Sequence, residues 1–210
     1  MAERYDAWLV DLDGTLYTQH WVRLVMAAEL LLLGWSALPT LRRFRHVQEA
    51  QRAELMAGEA LPITHANPFA AQLARTADAL GRPVAEVELI VQDWMFARPG
   101  KWIRRFPNTK LLAEIRAFRA QGGKTALVSD YPAQRKVDAL GVRELFDVVV
   151  ASGEEHGPQR LKPDPAGFMR AAELLGVPPD KCLVIGDRDD ADGAAARAAK
   201  MSFRLVRAGR

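Results

Sequence analysis

From Pro107 to the C-terminus, short apolar runs alternate with single helical stretches, and this alternation restricts the fold more than any other feature of the chain. A helix over 108–121 ends at Gly122-Gly123, and Lys124 to Ser129 is a strand. A helix over Gln134 to Leu140 closes at Gly141, and a strand follows over Phe146 to Ala151. Pro165 opens a helix that runs to Leu175 and stops at Gly176. Lys181 to Ile185 is a strand, Gly193 to Lys200 a helix and Phe203 to Val206 a last strand. A further strand, Tyr5 to Leu12, stands near the N-terminus and is apolar on both parities, as a strand buried on both faces should be. Strands joined by single helices require right-handed crossovers and a parallel sheet covered on both sides, an α/β fold. Reactive groups in such sheets sit at the carboxyl ends of the strands. Asp11, Ser129 and Asp187 each follow the apolar part of a strand, so they are expected at one edge.

Between His20 and about Ala97 the composition changes to Leu, Ala, Arg, Glu and Gln, with almost no strand signal. Val22, Val25, Met26, Glu29, Leu30 and Leu33 approximate a helical stripe that Gly34 should end. Leu41, Phe44 and Val47 form another, followed by Phe69, Leu73, Ala77 and Leu80, then Val84 to Phe96. Some four helices are too long for a connection within one layer. The expected division is therefore 1–17 with 103–210 as an α/β core, and 18–102 as an inserted all-helical domain. The run Leu30 to Leu33 fits either the interior of that domain or a homodimer contact. Trp35, Trp94 and Trp102 are expected to be packing residues.

Composition excludes several classes. With 210 residues, 49% hydrophobic, the chain has the apolar content of a globular protein rather than a disordered one. A single cysteine, Cys182, suits a reducing compartment, and no leader pattern precedes the first strand, so the expected address is the cytoplasm. The longest apolar stretch, Leu24 to Trp35, falls far short of the ~20 residues of a membrane span, and no membrane partner is expected. A formal charge of +3 is too slight to indicate nucleic acid, and no basic stripe with interleaved aromatics appears in the α/β part. The first strand ends in Asp-Leu-Asp-Gly-Thr, with carboxylates where a dinucleotide's pyrophosphate would have to lie. Nothing has zinc spacing.

Four polar signals remain. Asp11 and Asp13 flank Leu12 at a strand end, where alternate side chains point the same way. Gly186 to Gly193 holds Asp187, Asp189, Asp190 and Asp192, like charges that gather only if a cation or a pairing partner compensates them. An all-oxygen set suits Mg2+. Ser129, with the amides of the turn after it, makes an anion seat. Lys162, flanked by Pro163 and Pro165 in a stiff loop, is a fixed positive charge suited to phosphate.

In this order and context, Asp11-Leu12-Asp13-Gly14-Thr15, Ser129, Lys162-Pro163 and Gly186-Asp187 with Asp190 or Asp192 resemble the four motifs of the haloacid-dehalogenase-like hydrolase superfamily. The resemblance covers the α/β part; the helical middle matches only in position and size the cap that this superfamily inserts after its first motif. It implies a Rossmann-like three-layer core with an all-helical cap, acting as a phosphatase on a small phosphorylated metabolite. Asp11 would attack phosphorus to give an aspartyl-phosphate, and Asp13 would serve as acid and base, its pKa raised toward neutrality by nearby negative charge. Mg2+ would be held by Asp11, the carbonyl of Asp13 and Asp187, with Asp190 or Asp192 binding its waters. Leu12 and Asp130 amides, Ser129 and Lys162 would cradle the phosphate. An acid/base Asp13 marks phosphoryl transfer rather than displacement of halide from carbon. A phosphomutase and an inert phosphate-binding module remain open as alternatives. For the leaving group, His20, Trp21, Arg23 and Arg45 are the candidate contacts. One departure is Lys200, where relatives often carry Gly; it should alter the helix end and not the chemistry.

Overall fold

The computed structural model describes residues 5–56 and 67–207; within the expected helical insert, 57–66 lie outside the described residues, as do both chain ends. The strands are β1 (Ala7–Asp11), β2 (Lys124–Ser129), β3 (Val148–Ala151), β4 (Cys182–Gly186) and β5 (Ser202–Leu205). They pair in parallel in the order β3-β2-β1-β4-β5. Chain direction across the sheet therefore reverses between β1 and β4, which places their carboxyl ends at the crevice where α/β sheets bind ligands.

Alternate residues of each strand serve opposite layers. Val10, Leu127, Leu183 and Ile185 face α6 (Thr109–Ala120) and α7 (Gln134–Leu140), meeting Leu111, Leu112, Ile115 and Val137. Leu9, Ala126, Val128 and Val184 face α8 (Ala166–Leu175) and α9 (Ala194–Ala198), meeting Phe168, Ala171, Ala172, Ala195 and Ala196. Two of the strands are shorter than the apolar runs suggested, β1 starting at Ala7 and β3 at Val148. The last helix is also shorter, because a wider turn over Asp189–Gly193 precedes α9.

Residues 19–103 form α1 (Gln19–Leu33), α2 (Leu38–Met56), α3 (Pro68–Leu80), α4 (Val84–Val91) and the short α5 (Gly100–Ile103). Asn67 caps α3 by accepting from the Ala70 amide at 2.9 Å. Phe44, Phe69, Leu73, Val87, Val91 and Phe96 give these helices a core of their own, and Tyr131 from the α/β part packs against it. The two connections between the parts run side by side: Thr18 N–H donates to Phe106 C=O, and Asn108 N–H to Leu16 C=O, both at 2.8 Å.

Two packing expectations need correction. Trp94 is buried, and Trp102 is half-buried with its indole N–H on Glu29, but Trp35 is 68% exposed. The leucine run is not interior to the helical part: Leu31, Leu32 and Leu33 face outward, and Val22 is the buried residue of α1. The neighbours of α1 cover only a narrow strip of it, mainly Val22, Met26 and Leu30.

The Lys200 departure has a backbone consequence. Met201 N–H donates to Ala196 C=O and Lys200 N–H to Arg197 C=O, the paired bonds of a Schellman ending, and Lys200 sits at φ +58°. A Cβ in the left-handed region costs ~1–2 kcal/mol, partly offset by the greater chain entropy that glycine loses on folding. Lys200→Gly is therefore expected to raise unfolding free energy by about 0.5–1 kcal/mol in urea titration, with no change in the site.

Candidate active site

Asp11 is the last residue of β1 and Asp187 follows β4, so the parallel pairing of those neighbouring strands brings the two acids to one edge. Asp192, in the wide turn before α9, folds back to the same place. Carboxylate oxygens of Asp11, Asp187 and Asp192 all lie within 4.8 Å of one another. Lys162 enters from the β3–α8 connection, its Nζ 2.5 Å from Asp11 Oδ1 and 2.8 Å from Asp192 Oδ1. Asp11, Asp192 and Lys162 are all buried. The Asp11 hydroxyl partner is Thr15, whose Oγ1 donates to Asp11 Oδ2 at 2.9 Å, and Asn108 fixes that turn by donating to Thr15 C=O.

The electrostatics follow from this crowding. Burial, with the negative charge of Asp192, holds the Asp11 carboxyl well above the usual carboxylate range against the opposing pull of Lys162. Burial and Asp192 likewise push Asp187 up to about 6. Burial alone would depress the Lys162 ammonium, but Asp11 and Asp192 more than compensate and hold it charged. Three acids thus face one lysine, and a hard divalent cation with oxygen ligands would balance what Lys162 leaves uncompensated. The donor set fits Mg2+.

Two glycines make room for the cluster. Gly14 has φ +95°, and a Cβ on it would lie 2.1 Å from Asp187 Oδ2. A Cβ on Gly186 would lie 2.4 Å from Asp192 Cγ. The acids close up because these positions lack side chains.

A match to the haloacid dehalogenase-like hydrolase family covers residues 5–200. The chain belongs to this family. It is 32% identical to the plasmid-encoded phosphoglycolate phosphatase of Cupriavidus necator over 96% of this chain and 80% of that protein. It is 31% identical to the glyceraldehyde 3-phosphate phosphatase of Methanopyrus kandleri over 64% of this chain, spanning only 55% of that relative's length. A third relative, the chloroplastic 5-amino-6-(5-phospho-D-ribitylamino)uracil phosphatase of Arabidopsis thaliana, is matched over 19% of its length at 40% identity. The fold is shared with L-2-haloacid dehalogenase of Xanthobacter autotrophicus (TM-score 0.63, 20% identity, 96% of this chain and 77% of that one). It is shared equally with the magnesium-bound HAD-hydrolase YfnB of Bacillus subtilis (TM-score 0.63, 15% identity, 97% and 89%).

Within this member of the family, the other sequence candidates are placed as follows. Ser129 ends β2, buried, its Oγ accepting from Tyr131 N–H at 3.2 Å. Asp130 Oδ1 accepts from the Lys162 amide at 3.0 Å. Leu12 is fully buried in the turn after β1. Asp190 turns outward to Arg188, 2.5 Å away, and does not join the acidic cluster; an adjacent arginine in the same loop draws it off. His20, Trp21, Arg23 and Arg45 are all exposed. Trp21 stacks on Phe106, and the charges of Arg23 and Arg45 reach the phenols of Tyr17 and Tyr131.

Asp13 departs most from expectation. Burial alone would raise its pKa, but Lys136 Nζ grips both oxygens at 2.6 and 2.7 Å and Tyr17 Oη donates to Oδ1, so the net shift is downward. Its neighbour is a cation and not an anion. Lys136, buried on α7, carried no sequence signal beyond being a lysine four residues past Pro132. The second omission was readable. Gln48, Gln51 and Arg52 continue the buried stripe Leu41, Phe44, Val47 on α2, and polar residues on a core-facing stripe mark a site. Arg52 Nη2 reaches Asp130 Oδ2 at 2.6 Å and Gln48 Oε1 accepts from Tyr131 Oη.

Gly14→Ala tests the packing of the acids. The methyl group must displace Asp187, and misplacement of a catalytic geometry by about 1 Å costs ~100-fold in rate. Magnesium affinity, read by calorimetry, should fall as well, with unchanged circular dichroism.

Proposed function

We propose that this chain is a Mg2+-dependent phosphomonoester hydrolase of the cytoplasm, acting on a small phosphorylated metabolite through an aspartyl-phosphate at Asp11. The observation that carries this reading is the convergence of buried Asp11, Asp192 and Lys162 with half-buried Asp187 at the β1/β4 crevice. The phosphatase names of the relatives and the acid at position 13 support it.

Asp11 and Asp187 with the Asp13 carbonyl would hold the ion, and Asp192 would bind it directly or through water. Bound there, it would supply charge neutralisation between Asp11 and the phosphate oxygens. The chain's own groups do the rest. Thr15 orients one Asp11 oxygen and leaves the other to attack phosphorus in line with the leaving oxygen; that P–O bond breaks as the Asp11 O–P bond forms. Ser129, Lys162 and the amides of Leu12 and Asp130 hold the non-bridging oxygens. The entering dianion draws Lys136 from Asp13 and raises the Asp13 pKa, so Asp13 takes up a proton from solvent and delivers it to the leaving alkoxide. In the second step Asp13 takes a proton from the water that attacks phosphorus, and the Asp11–phosphorus bond breaks.

The helical part acts as a cap over this crevice and reads the leaving group. Gln48 and Gln51 are buried, and Gln48 Nε2 and both polar atoms of the Gln51 amide have no hydrogen-bond partner among the described residues; Arg52 Nε is likewise unpaired. Buried polar atoms need partners, and this set with Arg52 suits a leaving group bearing hydroxyl or carboxylate oxygens.

Purified protein should release inorganic phosphate from an aryl phosphate with Mg2+, and chelation should stop it reversibly. Asp11→Asn should abolish turnover; turnover that survives it overturns the aspartyl-phosphate route. Arg52→Ala should raise KM by about 10-fold or more for an oxygen-rich metabolite, the order of one charged hydrogen bond. For the aryl phosphate KM should rise less, because that substrate loses only the support Arg52 gives Asp130 and not a direct contact.

A further inference from the structure

Helix α1 presents an apolar surface that no described residue covers. Trp21 (49%), Leu24 (55%), Leu31 (61%), Leu32 (81%), Leu33 (74%) and Trp35 (68%) are all exposed, with Ala27 and Ala28 between them. Positions 21, 24, 28 and 31 fall on one side of α1, and Trp35 follows just past its end. At Gly34 the chain turns, and α1 and α2 meet at 108°, so the three leucines and Trp35 project at an outer corner. Monomeric soluble proteins rarely leave such contiguous apolar surface open to water without using it.

The charges around this corner are mainly positive, with Glu49 the exposed acid at its edge. From Thr18 to Gln48 the exposed ionisable residues are Arg23, Arg42, Arg43 and Arg45, with His20 and His46. The single acid in that stretch, Glu29, is only half-buried yet already taken, by Lys101 at 2.6 Å and by the Trp102 indole at 2.8 Å. Helix α5 packs along α1, and that neighbourhood adds exposed Lys101, Arg104 and Arg105.

We propose that the α1–α2 corner is a docking surface for an anionic lipid bilayer, with Leu31, Leu32, Leu33 and Trp35 entering the headgroup–acyl boundary and the surrounding arginines meeting lipid phosphates. Tryptophan at either end of the stripe suits that depth, where one edge of the ring is apolar and the other wet. Juxtaposed basic residues add electrostatic attraction to an anionic leaflet. The helix lies on the surface and does not cross it. Fifteen residues span about 22 Å against a hydrocarbon core of about 30 Å, and no single described helix is long and apolar enough to cross. The sequence excluded a span on the same ground, but a surface-lying helix needs no such length. A second copy of the chain is the poorer occupant. A two-fold contact would crowd Arg23, Arg42 and Arg43 of both copies together, against one exposed acid, Glu49, on each.

The test is co-sedimentation of the full chain with vesicles of phosphatidylcholine alone or mixed equally with phosphatidylglycerol. Binding to the mixed vesicles is expected, with a blue shift of tryptophan fluorescence, weakened at least 10-fold by 0.5 M salt and by Arg42→Glu with Arg43→Glu. Leu31→Gln with Leu32→Gln should weaken it at least 10-fold while leaving release of phosphate from a soluble aryl phosphate unchanged, which shows that the fold is intact. Failure to bind the mixed vesicles, or equal binding by the leucine variant, overturns the proposal. So does a concentration-dependent dimer in sedimentation velocity that the leucine substitutions abolish, since the patch would then belong to a second copy.

Discussion

Three carboxylates share one buried ammonium at the edge where β1 meets β4, and the surrounding structure is arranged to make that tolerable. Like charges at this spacing repel strongly once removed from water. They stay together because the backbone leaves them no alternative: β1 and β4 are neighbours in a parallel register, and the turn before α9 returns Asp192 under Gly186. Fold stability supplied by the two apolar layers is spent on holding these charges close, an arrangement that makes sense only when a cation or anion enters to complete it. Lys162 alone leaves the cluster short of positive charge.

The lysine is in turn tied to the helical part. Asp130 accepts from the Lys162 amide with one oxygen and from Arg52 with the other. Tyr131, the next residue, places its ring among Phe44 and Phe96 and its hydroxyl on Gln48. One short turn after β2 therefore senses both the phosphate-side loop and helix α2. A movement of α2 about the paired connections at 16–18 and 106–108 cannot leave Asp130 unaffected, so opening of the helical part and the setting of Lys162 are mechanically linked. Ser129, immediately before that turn, belongs to the rigid end of β2 and keeps its place.

The sequence made the sheet legible because burial on both faces imposes continuous apolar runs, and helix ends at Gly141 and Gly176 punctuate them. The strand-end rule then carried Asp11, Ser129 and Asp187 to one edge without any knowledge of contacts. Asp190 against Asp192 was not legible: two acids two residues apart in a turn differ only in which way the turn faces, and Arg188 decides it. The charge state of Asp13 was equally hidden. A lysine more than a hundred residues away in sequence enters through the packing of α7, and no local pattern records that. Exposure of the leucine run was undecidable for a related reason, since periodicity says that a face is apolar and not what covers it.

Helix α2 shows how the outer corner and the crevice belong to one element. Its first turns carry Arg42, Arg43 and Arg45 outward beside Trp35, while Phe44, Val47, Gln48 and Gln51 turn inward. The inward stripe begins as hydrocarbon and ends as amides and a guanidinium, so burial of its first half is what positions the polar second half against Tyr131 and Asp130. Any force on the outer corner acts on a rigid rod whose far end holds Arg52. Because Arg52 and the Lys162 amide grip the same carboxylate, two hydrogen bonds and one helix connect the corner to the backbone of Lys162.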